Sequence, residues 1–124
     1  MSAARRGVAT EEMKAVARDE DVTLEWLLPK IANGSIIIPH NNVRPQKITV
    51  VGIGKGMKTK VNVNIGNSTL SNNLEEEIKK AKVAVKYHAD TIMDLSDGGD
   101  VGLVRRALLE VAPIAFGTVP VYEA

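Results

Sequence analysis

Lys60-Val-Asn-Val-Asn-Ile-Gly-Asn-Ser68 is the stretch around which the rest of the chain is read. Valine alternates with asparagine, and Ile65-Gly66 then leads into a polar run ending at Ser71-Asn72-Asn73. Successive side chains of a strand point to opposite faces, so Val61, Val63 and Ile65 share one face and Asn62, Asn64 and Gly66 the other. Asparagine is depleted in strands. Two of them on one face mark a strand whose polar side does more than meet water.

Downstream of this strand the pattern alternates. Asn72 with Glu75 reads as a capping box. Leu74, Ile78, Ala81 and Val85 make one helical stripe, closing near Tyr87 or His88, and Glu75–Lys79 and Glu76–Lys80 are favourably oriented i,i+4 pairs. Thr91-Ile-Met-Asp-Leu95 is a strand and Ser96-Asp-Gly-Gly-Asp100 a loop. Asp100 caps a helix with Val101, Val104, Leu108 and Val111 on its apolar side. Pro113 to Gly117 is a third strand, followed by Thr118-Val-Pro-Val-Tyr122. Strand, helix, strand, helix, strand with short links predicts parallel strands joined by right-handed crossovers. The fold class is therefore α/β. Functional residues of such sheets gather at the carboxyl ends of strands, here Asn64 to Asn67, Met93 to Ser96 and Gly117 to Tyr122.

Upstream, residues 1–9 read as a loose basic arm. Thr10 is an N-cap, with Glu11 and Glu12 where the helix dipole favours acids. Met13, Val16 and Ala17 give a stripe of about two turns closing near Asp19. Thr23 caps a second helix carrying Leu24, Leu27, Leu28 and Ile31. Asn33-Gly34 stops it, and Pro29 predicts a kink or break. Ser35 to Ile38 is a short strand, and His40 to Pro45 a polar loop. Lys47 to Val51 and Thr59 to Ile65 read as an antiparallel hairpin turning at Gly52-Ile-Gly-Lys-Gly56. That glycine pattern invites a phosphate-binding reading, but Walker spacing is absent and a strand follows it. A hairpin turn needing positive φ is the preferred reading.

The 124 residues suffice for one small domain, and 44% hydrophobic with 25% charged describes an ordinary globular chain. A net charge of +1 argues against a strong nucleic-acid footprint, and Arg5-Arg6 is too short for a binding arm. With zero cysteines the chain contains no disulfide, thiolate zinc site or cysteine-ligated cluster. No apolar run approaches the ~20 residues of a membrane span, and no apolar segment follows the basic N-terminus. A cytoplasmic location is expected.

Asn64, Met93 and Tyr122 recur at an interval of 29 residues, each near the end of an expected strand. That regularity places all three around one mouth of a sheet or barrel. The blander alternative is that Asn64 binds backbone, Met93 packs and Tyr122 lies on the surface. Asp94, Asp97 and Asp100 have metal-binding chemistry, but such a loop more commonly caps a helix, and no metal site is assigned. His88 reads as a solvated residue at a helix end. His40 has no assigned role.

Several motifs carry a resemblance. Ala4-Arg-Arg-Gly-Val-Ala-Thr-Glu-Glu-Met13, Ile36-Ile-Ile-Pro39, Val63-Asn-Ile-Gly-Asn-Ser68, Glu75-Glu-Glu77, Ala89-Asp-Thr-Ile-Met-Asp-Leu-Ser96 and Gly117-Thr-Val-Pro-Val-Tyr122 follow in this order. Together the chain resembles the N-terminal portion of the phosphomethylpyrimidine synthase (ThiC) family of thiamin biosynthesis. The resemblance implies a radical S-adenosylmethionine lyase that rearranges 5-aminoimidazole ribonucleotide into hydroxymethylpyrimidine phosphate, releasing formate and carbon monoxide. It implies a (β/α)8 barrel preceded by a small N-terminal domain, divided here as residues 1–57 and residues 58–124, the latter holding three barrel strands. The family's substrate-binding asparagine, methionine and tyrosine fall on Asn64, Met93 and Tyr122. Its four-iron, four-sulfur (4Fe-4S) cluster, its S-adenosylmethionine and its divalent metal, zinc among the metals expected, rely on later cysteines and histidines that this sequence does not contain. Asp97 stands where the family commonly has threonine.

Two readings follow. The chain is part of a synthase and inactive alone, or it is a short non-catalytic paralogue acting as a binding or oligomeric structural module. In either reading an exposed strand edge favours association, with another copy or with a separate polypeptide supplying the C-terminal half.

Overall fold

The computed structural model describes residues 1–44 and 47–123, so Pro45, at the end of the expected polar loop, lies outside them. The chain is mixed α/β and divides into two compact units, residues 1–43 with 50–59 and residues 44–49 with 60–124. Among the described residues no helix is long and apolar enough to cross a membrane.

The first unit contains helices α1 (Ser2–Arg5), α2 (Glu11–Glu20) and α3 (Leu24–Ala32) and short strands β1 (Ile36–Ile37) and β2 (Ile53–Gly54). Thr10 and Thr23 cap α2 and α3, their hydroxyls accepting from Met13 N and Trp26 N. Each satisfies one of the donors that a helix start leaves unpaired. Met13, Val16, Ala17, Leu27, Ile31 and Ile36 form the core. The N-terminal residues are not a loose arm. Ala4 is buried in that core and Arg5 Nε donates to Ala32 O at 3.2 Å. Nor does Pro29 break α3, which runs through it. Pro29 and Glu25 are both exposed, so the carbonyl that loses its donor faces solvent, which supplies the replacement.

The hairpin expected of residues 47–51 and 59–65 does not form. β2 lies within the expected turn and pairs antiparallel with β1, Ile36 opposite Gly54 and Ile37 opposite Ile53. Residues 47–51 form no strand, and Thr49 N donates instead to Pro113 O at 2.8 Å. Gly54 has φ 152°, and a Cβ there would lie 2.7 Å from Ile36 Cα. This glycine permits the close approach of β1.

The second unit alternates β3 (Asn62–Ile65), α4 (Leu74–Lys86), β4 (Thr91–Asp94), α5 (Val101–Val111) and β5 (Ala115–Thr118), then a 3-10 turn over Pro120–Glu123. The three strands form one parallel sheet in the order β3-β4-β5. Ile65, Ile92, Ala81, Ala84, Val104, Leu108 and Ile114 make its core, with Val63 and Phe116 packed against them. Asp100 caps α5 as expected, accepting from Leu103 N at 2.8 Å. The cap of α4 is Asn73, accepting from Glu76 N, and not Asn72, whose Oδ1 is taken by Asn67 Nδ2 at 2.7 Å. His88 follows α4 with φ 61°, and Ala89 N closes the helix end on Ala84 O at 3.0 Å.

Candidate functional site

The parallel register decides which side chains share a face. Asn62, Thr91 and Ala115 are aligned, then Val63, Ile92 and Phe116, then Asn64, Met93 and Gly117, then Ile65, Asp94 and Thr118. The second and fourth rows face the helices, as the core membership of Val63, Ile65, Ile92 and Phe116 requires. The first and third rows lie on the opposite face. There Asn62 and Asn64 are exposed, and Thr91, Met93 and Gly117 half-buried. The face that alternation marks as polar is thus directed away from the helix-packed core.

Asn64 and Met93 are register partners on neighbouring strands. Beyond Met93 the next position is Gly117, where an added Cβ would come within 3.0 Å of Met93 Cε and 3.1 Å of its Sδ. The thioether therefore lies over Gly117, in space that a side chain would take. Asn62 links the strands through its amide. Thr91 Oγ1 donates to Asn62 Oδ1 at 2.7 Å, and Asn62 Nδ2 donates to Asn64 Oδ1 at 2.9 Å. Tyr122 does not end a strand. It sits in the 3-10 turn after β5, its N–H donating to Val119 O at 3.1 Å and the residue 52% exposed. The structure brings Asn64 and Met93 side by side and leaves Tyr122 outside that register.

Below the rim, the described buried polar residues are Asn67, Glu77, Asp94 and Ser96, gathered where β3 and β4 end. Asp94 Oδ1 accepts from Ser96 N and Oγ at 3.0 and 2.5 Å, and its Oδ2 from Arg105 Nε at 2.8 Å. Ser96 Oγ also accepts from Asn67 N at 3.0 Å. Asn67 Oδ1 takes Asn73 N, and Asp97 N donates to Asn67 O. Glu77 Oε2 accepts from Gly66 N at 2.8 Å, while its Oε1 pairs with Lys80 at 2.6 Å, in place of the expected Glu76–Lys80 pair. These bonds fasten the loops after β3 and β4 to each other and to the starts of α4 and α5. They hold the rim that carries Asn64 and Met93.

This network was only partly visible in the sequence. Alternation along Thr91-Ile-Met-Asp places Asp94 on the face of Ile92, so a carboxylate among helix contacts was legible. Glu77 shares the stripe of Ala81 and Ala84. The partners Ser96, Asn67 and Arg105 come from separate segments and carry no local signal. Of the three carboxylates read for metal chemistry, Asp94 is engaged as described, Asp100 caps α5 and Asp97 is exposed. Among the described residues no group of three or more His, Cys, Asp or Glu side chains is arranged to hold a metal ion. His40 is exposed in the first unit. Near it, Glu12 has its carboxyl held below the ordinary value, chiefly by a hydrogen bond with the Thr10 side chain, then by a backbone bond and the charge of His40, against the opposing effect of burial.

The model of the radical SAM ThiC family matches residues 1–124. Phosphomethylpyrimidine synthase of Thermus thermophilus is 48% identical over 124 residues, all of this chain and 28% of that protein. The same-named enzyme of Pyrococcus furiosus is 48% identical over 124 residues and 29% of its length. Phosphomethylpyrimidine synthase 1 of Methanothermobacter thermautotrophicus is 47% identical over 124 residues and 28% of its length. The chain thus spans between a quarter and a third of these relatives. With a match running the full 124 residues, the chain belongs to the radical SAM ThiC family.

Proposed function

We propose that this chain supplies part of the substrate pocket of a phosphomethylpyrimidine synthase, a lyase converting 5-aminoimidazole ribonucleotide into hydroxymethylpyrimidine phosphate. In this reading β3, β4 and β5 are the first three strands of a (β/α)8 barrel, and Asn64, Met93 and Tyr122 contact the substrate. The observation that carries it is the register pairing of Asn64 with Met93 on the sheet face opposite the helices, at the strand ends where barrel enzymes place their chemistry. The roles follow from side-chain chemistry. A carboxamide fixes orientation by hydrogen bonding, a thioether packs against a flat ring, and a phenol combines an apolar body with a polar tip.

The outer edge of β3 supports the barrel reading. An open apolar cavity of about 500 Å³ lies there, lined by Val61, Val63, Ile65, Val83, Ala84 and Tyr87 among others. Val61, Val83 and Tyr87 remain more than half exposed in it. Further barrel wall, from the same protein, another copy or a separate polypeptide, would cover that apolar margin.

The residues present do not fit the family's inorganic groups. A thiolate-held cluster needs cysteines, and the sequence has none. Both oxygens of the Asp94 carboxylate are occupied by Ser96 and Arg105. No reaction step is therefore assigned to a cluster or metal on this chain. Its own part is to bind and orient substrate, in a cytoplasmic enzyme.

The test is an anaerobic assay with 5-aminoimidazole ribonucleotide, S-adenosylmethionine and a reductant after iron–sulfur reconstitution. The full-length protein carrying these residues is expected to form hydroxymethylpyrimidine phosphate, and the isolated 124 residues none. An inactive, fully reconstituted full-length protein would refute the assignment. Turnover by the isolated chain would refute its partial role.

A further inference from the structure

Asn62 has no part in the proposed substrate contact, yet it stands between two groups in a directional hydrogen-bond relay. Thr91 Oγ1 donates to its Oδ1, and its Nδ2 donates to Asn64 Oδ1. A carboxamide has one acceptor end and one donor end, so committing the acceptor end to Thr91 turns the donor end to Asn64. The Asn64 carbonyl is thereby engaged on the Asn62 side, and its amide hydrogens are left over. Among the described residues nothing accepts from Asn64 Nδ2. All three side chains are polar, sit on the sheet face away from the helices, and come from strands whose register is fixed by ladder bonds.

We propose that Asn62 and Thr91 are positioning residues that lock the Asn64 carboxamide with its N–H donors toward the ligand, so that the substrate atom met there is a hydrogen-bond acceptor. The inference rests on the reading of Asn64 as a substrate contact. Its physical basis is preorganisation. A free carboxamide on an exposed strand face samples both flips and several rotamers, whereas one held through its oxygen presents a single polarity without that ordering cost at binding. The relay thereby also sets selectivity, since a ligand presenting a donor at this point would meet another donor.

The experiment is calorimetric titration of 5-aminoimidazole ribonucleotide into the full-length protein, with melting temperature measured in parallel. Asn62→Asp keeps the shape and the acceptor for Thr91 but can no longer donate to Asn64. It is expected to weaken binding about tenfold, the scale of one hydrogen bond. In an Asn64→Ala background the same change is expected to have no further effect, because its action passes through Asn64. Thr91→Ser, which keeps the hydroxyl, retains affinity, while the isosteric Thr91→Val loses it. The Thr91 pair decides the matter should Asn62→Asp lower the melting temperature. Wild-type affinity in Asn62→Asp and Thr91→Val, alongside weakened binding by Asn64→Ala, would overturn the relay and leave the substrate contact standing. An equal loss from Asn62→Asp with and without Asn64 would overturn it as well. Wild-type affinity in Asn64→Ala would overturn the contact itself and the relay with it.

Discussion

Asp94 and Arg105 are joined across 2.8 Å, from the last residue of β4 to the first half of α5, with the Asp94 side chain fully buried and that of Arg105 20% exposed. The pair ties a strand end that carries Met93 to the helix that follows it. Removing one partner from a buried pair strands the other charge. Arg105→Met is expected to destabilise the chain by about 3 kcal/mol. Asp94→Asn is expected to cost less, because its amide oxygen still accepts from Ser96 and the arginine can turn to solvent. Urea denaturation of the two variants checks the order, and a milder effect of Arg105→Met would contradict it.

Arg44 does for the end of α5 what Asp100 does for its start. Its Nη2 donates to Leu109 O and Ala112 O, each at 2.5 Å, and its Nη1 to Ile114 O at 2.9 Å. Burial lowers the guanidinium pKa, yet a planar fork of donors still suits a helix terminus with unpaired carbonyls and a negative dipole end. Arg44→Ala is expected to lower the melting temperature by roughly 10 °C, corresponding to about 3 kcal/mol. Arg44→Lys recovers only part of it, since one ammonium cannot span the same carbonyls. Full recovery by lysine would show that charge alone is what matters.

Gly66 follows β3 with φ 143°, and a Cβ there would lie 2.5 Å from Ser96 N and 2.8 Å from Leu95 C. Both clashes are with backbone, which cannot swing aside. Gly66→Ala is expected to destabilise by at least about 2 kcal/mol and to disturb the loop bonds that converge on Asn67. Thermal melting reads the first effect. Amide shifts of Asn67, Ser96 and Asp97 in nuclear magnetic resonance spectra read the second, and an unchanged spectrum would contradict it.

The exposed Val61, Val83 and Tyr87 at the free edge of β3 predict association of the isolated chain. Light scattering after size exclusion is expected to give a mass above that of one 13.3 kDa chain at high concentration. Val83→Lys and Tyr87→Lys are expected to return it toward the monomer. A cooperatively folded monomer at all concentrations would contradict the expectation.

The second unit was legible because its signals are local. Asn62 to Ile65 alternates, α4 and α5 carry apolar stripes, and Asp100 caps where it stands. The stretch before β3 misled because pairing partners are chosen at a distance. Lys47 to Val51 has the composition of a strand, yet β1 pairs with Ile53–Gly54. The cap of α4 shifted by one residue because Asn67, five residues back in the same loop, engages the Asn72 carbonyl. The spacing of 29 that links Asn64 with Met93 matches the strand register. The same spacing on to Tyr122 overshoots β5, whose register partner for Met93 is Gly117. Spacing therefore located the pair, while the turn at Pro120 set the place of the tyrosine.

In the proposed function Asn64 meets the ribonucleotide on the open face of the sheet. The most direct test of that contact is kcat/KM for 5-aminoimidazole ribonucleotide in the full-length protein with Asn64→Ala, at unchanged melting temperature. A fall of about 10- to 100-fold is expected, the loss of one or two ligand hydrogen bonds. A variant that keeps the wild-type kcat/KM would contradict the contact.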